Sequence, residues 1–265
     1  MVDLTDLLTD LADESAQLDA MVAALPAADW ARQTPAPGWS IGHQIAHLAW
    51  TDHVALLAAT DHEAFYATVT AAPDVNRMVD AGAEEFLAPP AELLARWRTG
   101  RTALVDALAA TPAGAKLPWY GTRMSATSMA TARMMETWAH GADVADTLGV
   151  VRPASDRLRH VAHLGVRTLG HGFAAHGREV PTAPVRVELA GPGGDTWTWG
   201  PADAANRLSG PALDFCLLVT QRRHRADLAL LATGPVADEW LDVAQAFAGP
   251  PGDGRRPAGG SGVRA

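Results

Sequence analysis

The chain has 265 residues, with 30 Asp and Glu against 21 Lys and Arg, and a formal net charge of −9. Apolar residues make up 48% and charged residues 19%, the profile of a soluble globular protein long enough for one large or two modest domains. The acidic balance argues against nucleic acid as a partner, the lone Cys216 excludes a disulfide framework, and no stretch approaches the roughly 20 apolar residues of a membrane span.

Leu4, Leu7, Leu8, Leu11, Leu18, Met21 and Leu25 recur at helical spacings and predict an amphipathic first helix, ended by Pro26 and the loop Thr34-Pro35-Ala36-Pro37-Gly38. This acidic start lacks the basic n-region of a signal peptide, so a cytoplasmic location is expected. Ser40 is the expected N-cap of a second helix from Ile41 to about Ala59. A third carries Val75, Met78, Val79, Ala83, Phe86 and Leu87, and a fourth follows Pro89-Pro90 with Leu93, Leu94, Trp97, Leu104, Val105 and Leu108. Residues 111–123 read as loop, Ser125 to Leu148 as a long helix stopped by Gly149, and Asp156 to about His176 as one further helix.

After Gly177 the texture changes. Val185, Val187 and Leu189 alternate with polar residues as in a half-buried strand, and Thr196-Trp197-Thr198-Trp199 reads as the returning arm of a hairpin turned at Gly191-Pro192-Gly193-Gly194-Asp195. Pro201 to Gln221 and Ala237 to Phe247 read as helices, with a strand from Ala226 to Thr233 between them. The expected class is therefore α+β: a helical domain over residues 1–178, a smaller α/β domain over 179–248, and a disordered tail over 249–265.

One constellation suggests chemistry. Glu136 and His140 are four residues apart on one predicted helix, so they stand about 6 Å apart along the same face. His47, on the second helix, becomes a third ligand if those helices pack side by side. Two imidazoles and a carboxylate suit Zn²⁺ or a similar divalent ion and leave a position for water or substrate, with Asp143 as an acceptor behind His140. A plain buried ion pair satisfies the same pattern, because Glu136 and His140 sit among Met134, Met135 and Trp138 and any buried polar group needs a partner.

His43 and His47 repeat the spacing of a zinc-protease helix, but Gln44 stands where that helix needs a general base, which argues against a peptidase. His43 reads as a fourth ligand, a supporting group or a surface residue, and His160, His163, His171 and His176 scatter around their helix. Trp39, Trp50 and Trp138 flank the three candidate ligands and could wall a pocket that binds a cofactor. Arg133 shares a face with Glu136 and could pair it or hold a substrate acid. The run Arg222-Arg223-His224-Arg225 reads either as a solvated helix end or as an anion-capturing group. Cys216 lies in an apolar segment, the setting of an inert thiol.

At these residues the chain resembles a known family. Pro37-Gly38-Trp39-Ser40, Ala46-His47-Leu48-Ala49-Trp50 and the segment Ala132 to His140 look like the DinB-like metal-binding helical bundle, and more narrowly its mycothiol-dependent maleylpyruvate isomerase branch. Trp197 to Pro201 and Gly210 to Arg225 are similar to an actinobacterial subfamily of it. The resemblance implies a four-helix bundle that holds a divalent metal, usually zinc, through His47, Glu136 and His140. It also implies a C-terminal α/β domain closing over the site, with Arg222 or Arg223 holding an acidic or electrophilic small substrate. Mycothiol would be the thiol cofactor. The chain departs from the subfamily at His43, at Thr122-Arg123 and at Leu169-Gly170-His171-Gly172, which leaves the substrate open.

The expected activity is thus that of a metal-dependent, thiol-dependent isomerase or S-transferase, monomeric or homodimeric, without a nucleic-acid or membrane partner. Two other readings stand beside it. One is a thiol-independent isomerase or cyclase using Arg133, His43, His171 or the metal as acid–base groups. The other is a non-catalytic metal- or ligand-binding protein.

Overall fold

A computed structural model describes residues 3–71, 75–252 and 254–259, and the chain divides into two compact units, Met1–Arg152 and Pro153–Ala265. In the first unit, Asp3 caps α1 (Leu4–Val22) by accepting the Thr5 N–H at 2.8 Å. Then come α2 (Ile41–Thr60), α3 (His62–Ala71), α4 (Val75–Phe86), α5 (Pro90–Ala109), the strands β1 (Leu117–Trp119) and β2 (Thr122–Met124), and α6 (Ala126–Leu148). Ser40 caps α2 as expected, Ser125 stands one residue outside α6 as its N-cap, and Gly149 ends α6 in the left-handed conformation, φ 68°.

The four long helices pack together, α1 on α5 and α6, and α2 on α4, α5 and α6. Helix α2 is the central one. Ile41, Ile45, Leu48, Ala55 and Ala58, which point in different directions around it, are all fully buried, as in a helix covered on every side. Several buried charged groups are paired. Arg152 reaches back to Glu14 and donates to Gln17 Oε1 at 2.9 Å and to the Trp138 carbonyl at 3.0 Å. Asp19 is held by Arg98 at 2.6 Å and Arg101 at 2.8 Å.

The second unit holds α7 (Leu158–Arg167), α8 (Leu169–Ala175), β3 (Val185–Ala190), β4 (Thr196–Trp199), β5 (Asn206–Pro211), α9 (Ala212–Val219), β6 (Leu231–Thr233) and α10 (Pro235–Val243). Its sheet runs β4-β3-β5-β6, with β3 antiparallel to β4, parallel to β5, and β5 antiparallel to β6. Val187 faces Trp199 and Leu189 faces Trp197 across the hairpin. Val187, Leu189, Leu208, Phe215, Cys216 and Trp240 are buried in this unit, Phe215 edge-on to Trp240 at 5.5 Å. The α+β class is as expected.

Several boundaries differ from the sequence reading. The units divide at residue 152 rather than 178, because α7 packs on α9 and α8 on α10. The single helix expected from Asp156 to His176 is broken at Thr168, whose hydroxyl bonds the carbonyls of Leu164 and Gly165 instead of facing solvent. Residues 201–211 are not helical: Asn206 and Leu208 alternate inward on β5, and Gly210 at φ 148° lets the backbone of residues 229–230 pass close by. The expected loop contains a hairpin, tightened at Gly121 with φ 71°. Helix α3 went unforeseen; Asp61 caps it, and Phe65 fastens it to the core. In the tail, residues 253 and 260–265 lie outside the described residues. The described part has neither helix nor strand, yet Ala258 donates its N–H to Asp227 at 3.0 Å.

Candidate metal centre

Helices α2 and α6 lie side by side, and their facing sides bring His47, Glu136 and His140 together. Glu136 Oε2 is 3.1 Å from His140 Nε2 and 3.5 Å from His47 Nε2, and one ligand atom from each residue lies within 4.8 Å of the others. The imidazole centroids are 4.5 Å apart. Both histidines are buried and the Glu136 side chain is 22% exposed. Burial alone would raise the Glu136 carboxyl, but hydrogen bonds from His140 and His47 and their charges outweigh it and hold the group well below the usual carboxylate range.

The surroundings are aromatic. The Trp39 ring stacks on His140 at 5.9 Å and 19° and lies 5.2 Å from His47, while Trp50 lies 6.0 Å from His47. Helix α4 fixes both indoles. Asp80 accepts the Trp39 Nε1–H at 3.0 Å, and Gly82 sits so close to Trp50 that a Cβ there would come within 2.3 Å of the ring. Behind the site, His140 Nδ1 bonds Gln44 Oε1, Gln44 Nε2 donates to Thr34 Oγ1 at 2.9 Å, and Thr34 Oγ1 donates to the Trp39 carbonyl at 2.7 Å.

These residues fit a divalent cation. Two imidazole nitrogens and one carboxylate oxygen converge from two helices, the donor set that suits zinc and similar ions. Among the described residues, Nδ1 of His47 is buried without a hydrogen-bond partner. An imidazole so placed carries a desolvation cost that a strong bond at Nε2 would offset. Two cavities in this unit, about 240 Å³ between α3 and the β1–β2 hairpin and about 200 Å³ beside Asp52 and Arg101, contain none of the three ligands.

Residues 11–145 match the family model described as the mycothiol maleylpyruvate isomerase N-terminal domain, a stretch that includes His47, Glu136 and His140. The chain belongs to this family. A second model, described as wyosine base formation, matches residues 181–233. Two uncharacterized proteins from strains of Mycobacterium tuberculosis are 57% identical over 257 residues, covering 96% of this chain and all of theirs. The crystal structure of the mycothiol-dependent maleylpyruvate isomerase superposes with a TM-score of 0.60 at 16% identity, covering 89% of this chain and 96% of that one. A mutant of that enzyme gives 0.59 at 17% identity, covering 83% and 90%. At these identities the structural likeness speaks for the fold alone.

The other sequence candidates divide. His43 is not a fourth ligand: its Nδ1 meets Ser40 at the α2 cap and its Nε2 meets Glu84 of α4 at 3.2 Å. Asp143 is buried, but the acceptor behind His140 is Gln44, a residue on the neighbouring helix. Arg133 pairs Asp52 rather than Glu136. Its Nε donates to Asp52 Oδ1 at 2.9 Å and its Nη2 to Thr51 Oγ1 at 2.6 Å, deep in the unit. Trp50 touches the site from within the core, whereas no ring contact joins Trp138 to the ligands among the described residues.

In the second unit, α9 ends in a Schellman turn with Gln221 at φ 57°, and the arginine run follows it. There Arg222 Nη1 donates to the Thr220 carbonyl at 2.6 Å and Arg223 Nη1 to the Arg222 carbonyl at 2.8 Å. Their assignment to a substrate carboxylate rests on the family resemblance. His171 is exposed on α8. Cys216 is fully buried, burial pushes its thiol far up, and its Sγ faces the Leu158 carbonyl at 3.4 Å. What sequence reasoning missed is Gln44. The available signal was an amide one turn before His47 on a helix rich in apolar residues, which requires a partner once buried.

Proposed function

We propose that this chain is a metal-dependent enzyme that uses a low-molecular-weight thiol, mycothiol by the family's name, to isomerise a small electrophilic acid or to transfer the thiol to it. The observation that carries the reading is the convergence of His47, Glu136 and His140 on one point, with their ligand atoms within 4.8 Å. A divalent ion held there would lower the pKa of a coordinated thiol and so supply a thiolate at neutral pH.

The chain's own groups prepare that chemistry. Three protein ligands leave a position for the sulfur. Glu136 contributes a full negative charge because its carboxyl stays ionised. Trp39 stacks on His140 and flanks His47 with a tilted ring, which lowers the local polarity and strengthens electrostatic contacts there. Cys216 is buried with a raised pKa and supplies no nucleophile, which supports an external thiol.

A thiol bound there would supply a nucleophile able to add reversibly to an activated double bond, which permits either isomerisation on its departure or transfer when it is retained. His47, Glu136 and His140 would hold the ion that keeps it ionised.

The test is turnover of maleylpyruvate by the purified protein with and without mycothiol. The expected result is turnover that needs the thiol and falls at least about 100-fold in His47→Ala. Full activity in thiol-free buffer, or an unaffected His47→Ala enzyme, would overturn the proposal.

A further inference from the structure

We infer that Gln44 and Thr34 form a relay that fixes the tautomer and ring orientation of His140, making Gln44 the positioning residue on which the affinity of the metal centre depends. The inference rests on the metal reading above. Its logic starts at the Trp39 carbonyl, which can only accept. Thr34 donates its backbone N–H there at 2.8 Å and its hydroxyl at 2.7 Å. With its proton committed, Thr34 Oγ1 is an acceptor for Gln44 Nε2 at 2.9 Å and for the Ala36 N–H at 3.3 Å. This decides the direction of the Gln44 amide: nitrogen toward Thr34, carbonyl oxygen toward His140.

That oxygen also can only accept, so Nδ1 of His140 carries the proton of this bond and Nε2 is the nitrogen left to face a metal. Nε2 is the atom facing Glu136 Oε2 at 3.1 Å. A cation held at Nε2 would therefore meet a ring whose orientation the relay has already set.

The relay and the wall of the site share one loop. Trp39 ends the relay with its carbonyl and covers His140 with its ring at 5.9 Å. The turn between Thr34 and Trp39 closes through the Trp39 N–H to Ala36 carbonyl bond at 3.0 Å, with Gly38 at φ 79°. Gln44 itself is fully buried between the two histidine-bearing helices, so its amide has no water to exchange partners with.

The experiment is competition of a chromophoric chelator for Zn²⁺ against the full-length protein and its Gln44→Met, Gln44→Glu and Thr34→Val variants, with circular dichroism confirming the fold of each. Gln44→Met keeps the shape and removes the acceptor, and is expected to weaken zinc binding roughly 10- to 100-fold. Gln44→Glu restores an acceptor and should bind within a few-fold of the parent. Thr34→Val frees the amide to turn over, with an expected loss of roughly 3- to 10-fold. In the zinc-loaded parent, proton NMR should show a slowly exchanging His140 Nδ1–H that is absent from Gln44→Met.

Parent-like zinc affinity in Gln44→Met, with binding abolished in His47→Ala, would overturn the relay and leave the metal centre standing. If Gln44→Met does not fold, parent-like affinity in Thr34→Val overturns it instead. Failure of the parent itself to bind zinc would remove both the relay and the reading on which it rests.

Discussion

Replacing Arg133 by Met separates a structural role for this residue from a catalytic one. Its side chain is 3% exposed and that of its partner Asp52 6%, and Asp52 also accepts the Trp97 Nε1–H at 3.2 Å. Methionine fills much of the space but leaves the carboxylate buried without a counter-charge, a change that costs about 3–5 kcal/mol in comparable buried pairs. Burial already pushes the Asp52 carboxyl upward against the pull of Arg133. Without that pull the group rises further and takes up a proton on folding.

The sign follows. Where the native state binds a proton that the unfolded state has released, stability falls as pH rises, by up to about 1.4 kcal/mol per pH unit. Urea unfolding of Arg133→Met should therefore give a stability that improves from pH 7 to pH 5. The double variant Arg133→Met/Asp52→Asn should recover most of the loss at pH 7 and lose the pH dependence. Zinc stoichiometry in folded Arg133→Met should match the parent. A destabilisation under about 1 kcal/mol, the scale of an exposed pair, would refute the argument. So would a fully folded variant that has lost only turnover.

Gly82→Ala should destabilise the protein by about 1–3 kcal/mol, because the added methyl cannot coexist with the Trp50 ring, and its tryptophan fluorescence should shift as Trp50 is displaced from His47. The Asp19 carboxyl is lowered by its hydrogen bond from Arg98, with burial opposing and Arg101 assisting. Its contribution is thus present above the unfolded carboxylate value near about pH 4 and lost as pH falls through the lower folded value, so Asp19→Asn should flatten the acid limb of the stability curve. Cys216 should resist alkylation by iodoacetamide in the native protein and react at once in denaturant, as mass spectrometry would show.

The local signals in the sequence were strong where one residue type does one job. Ser40, Ser125 and Gly149 mark helix ends by chemistry that needs no tertiary partner, and the four-residue step from Glu136 to His140 places both on one face in any helix. His47 could be proposed as their companion, but its arrival depends on α2 packing beside α6, which no spacing within either helix encodes.

Pairings across long stretches were illegible for the same reason. Arg133 and Asp52 stand 81 residues apart, and nothing in either segment says that they meet. Gln44 and His140 are separated by 96. Asp143 looked the better acceptor only because it shares a helix with His140. Strand β5 was misread because Pro201, Asn206 and Gly210 disfavour a helix weakly, while the apolar run Ala212 to Val219 favours one strongly and the boundary between them was set too early. The 3-residue strands β1 and β2 are too short for alternation to show.

Metal analysis by plasma mass spectrometry, on protein dialysed against zinc and then against metal-free buffer, goes most directly to the central claim. The account predicts about one tightly held ion per chain in the parent and in Cys216→Ser, and none in Glu136→Ala or His140→Ala of the same fold. An ion retained in full by those two variants, or a parent chain that holds none, would contradict it.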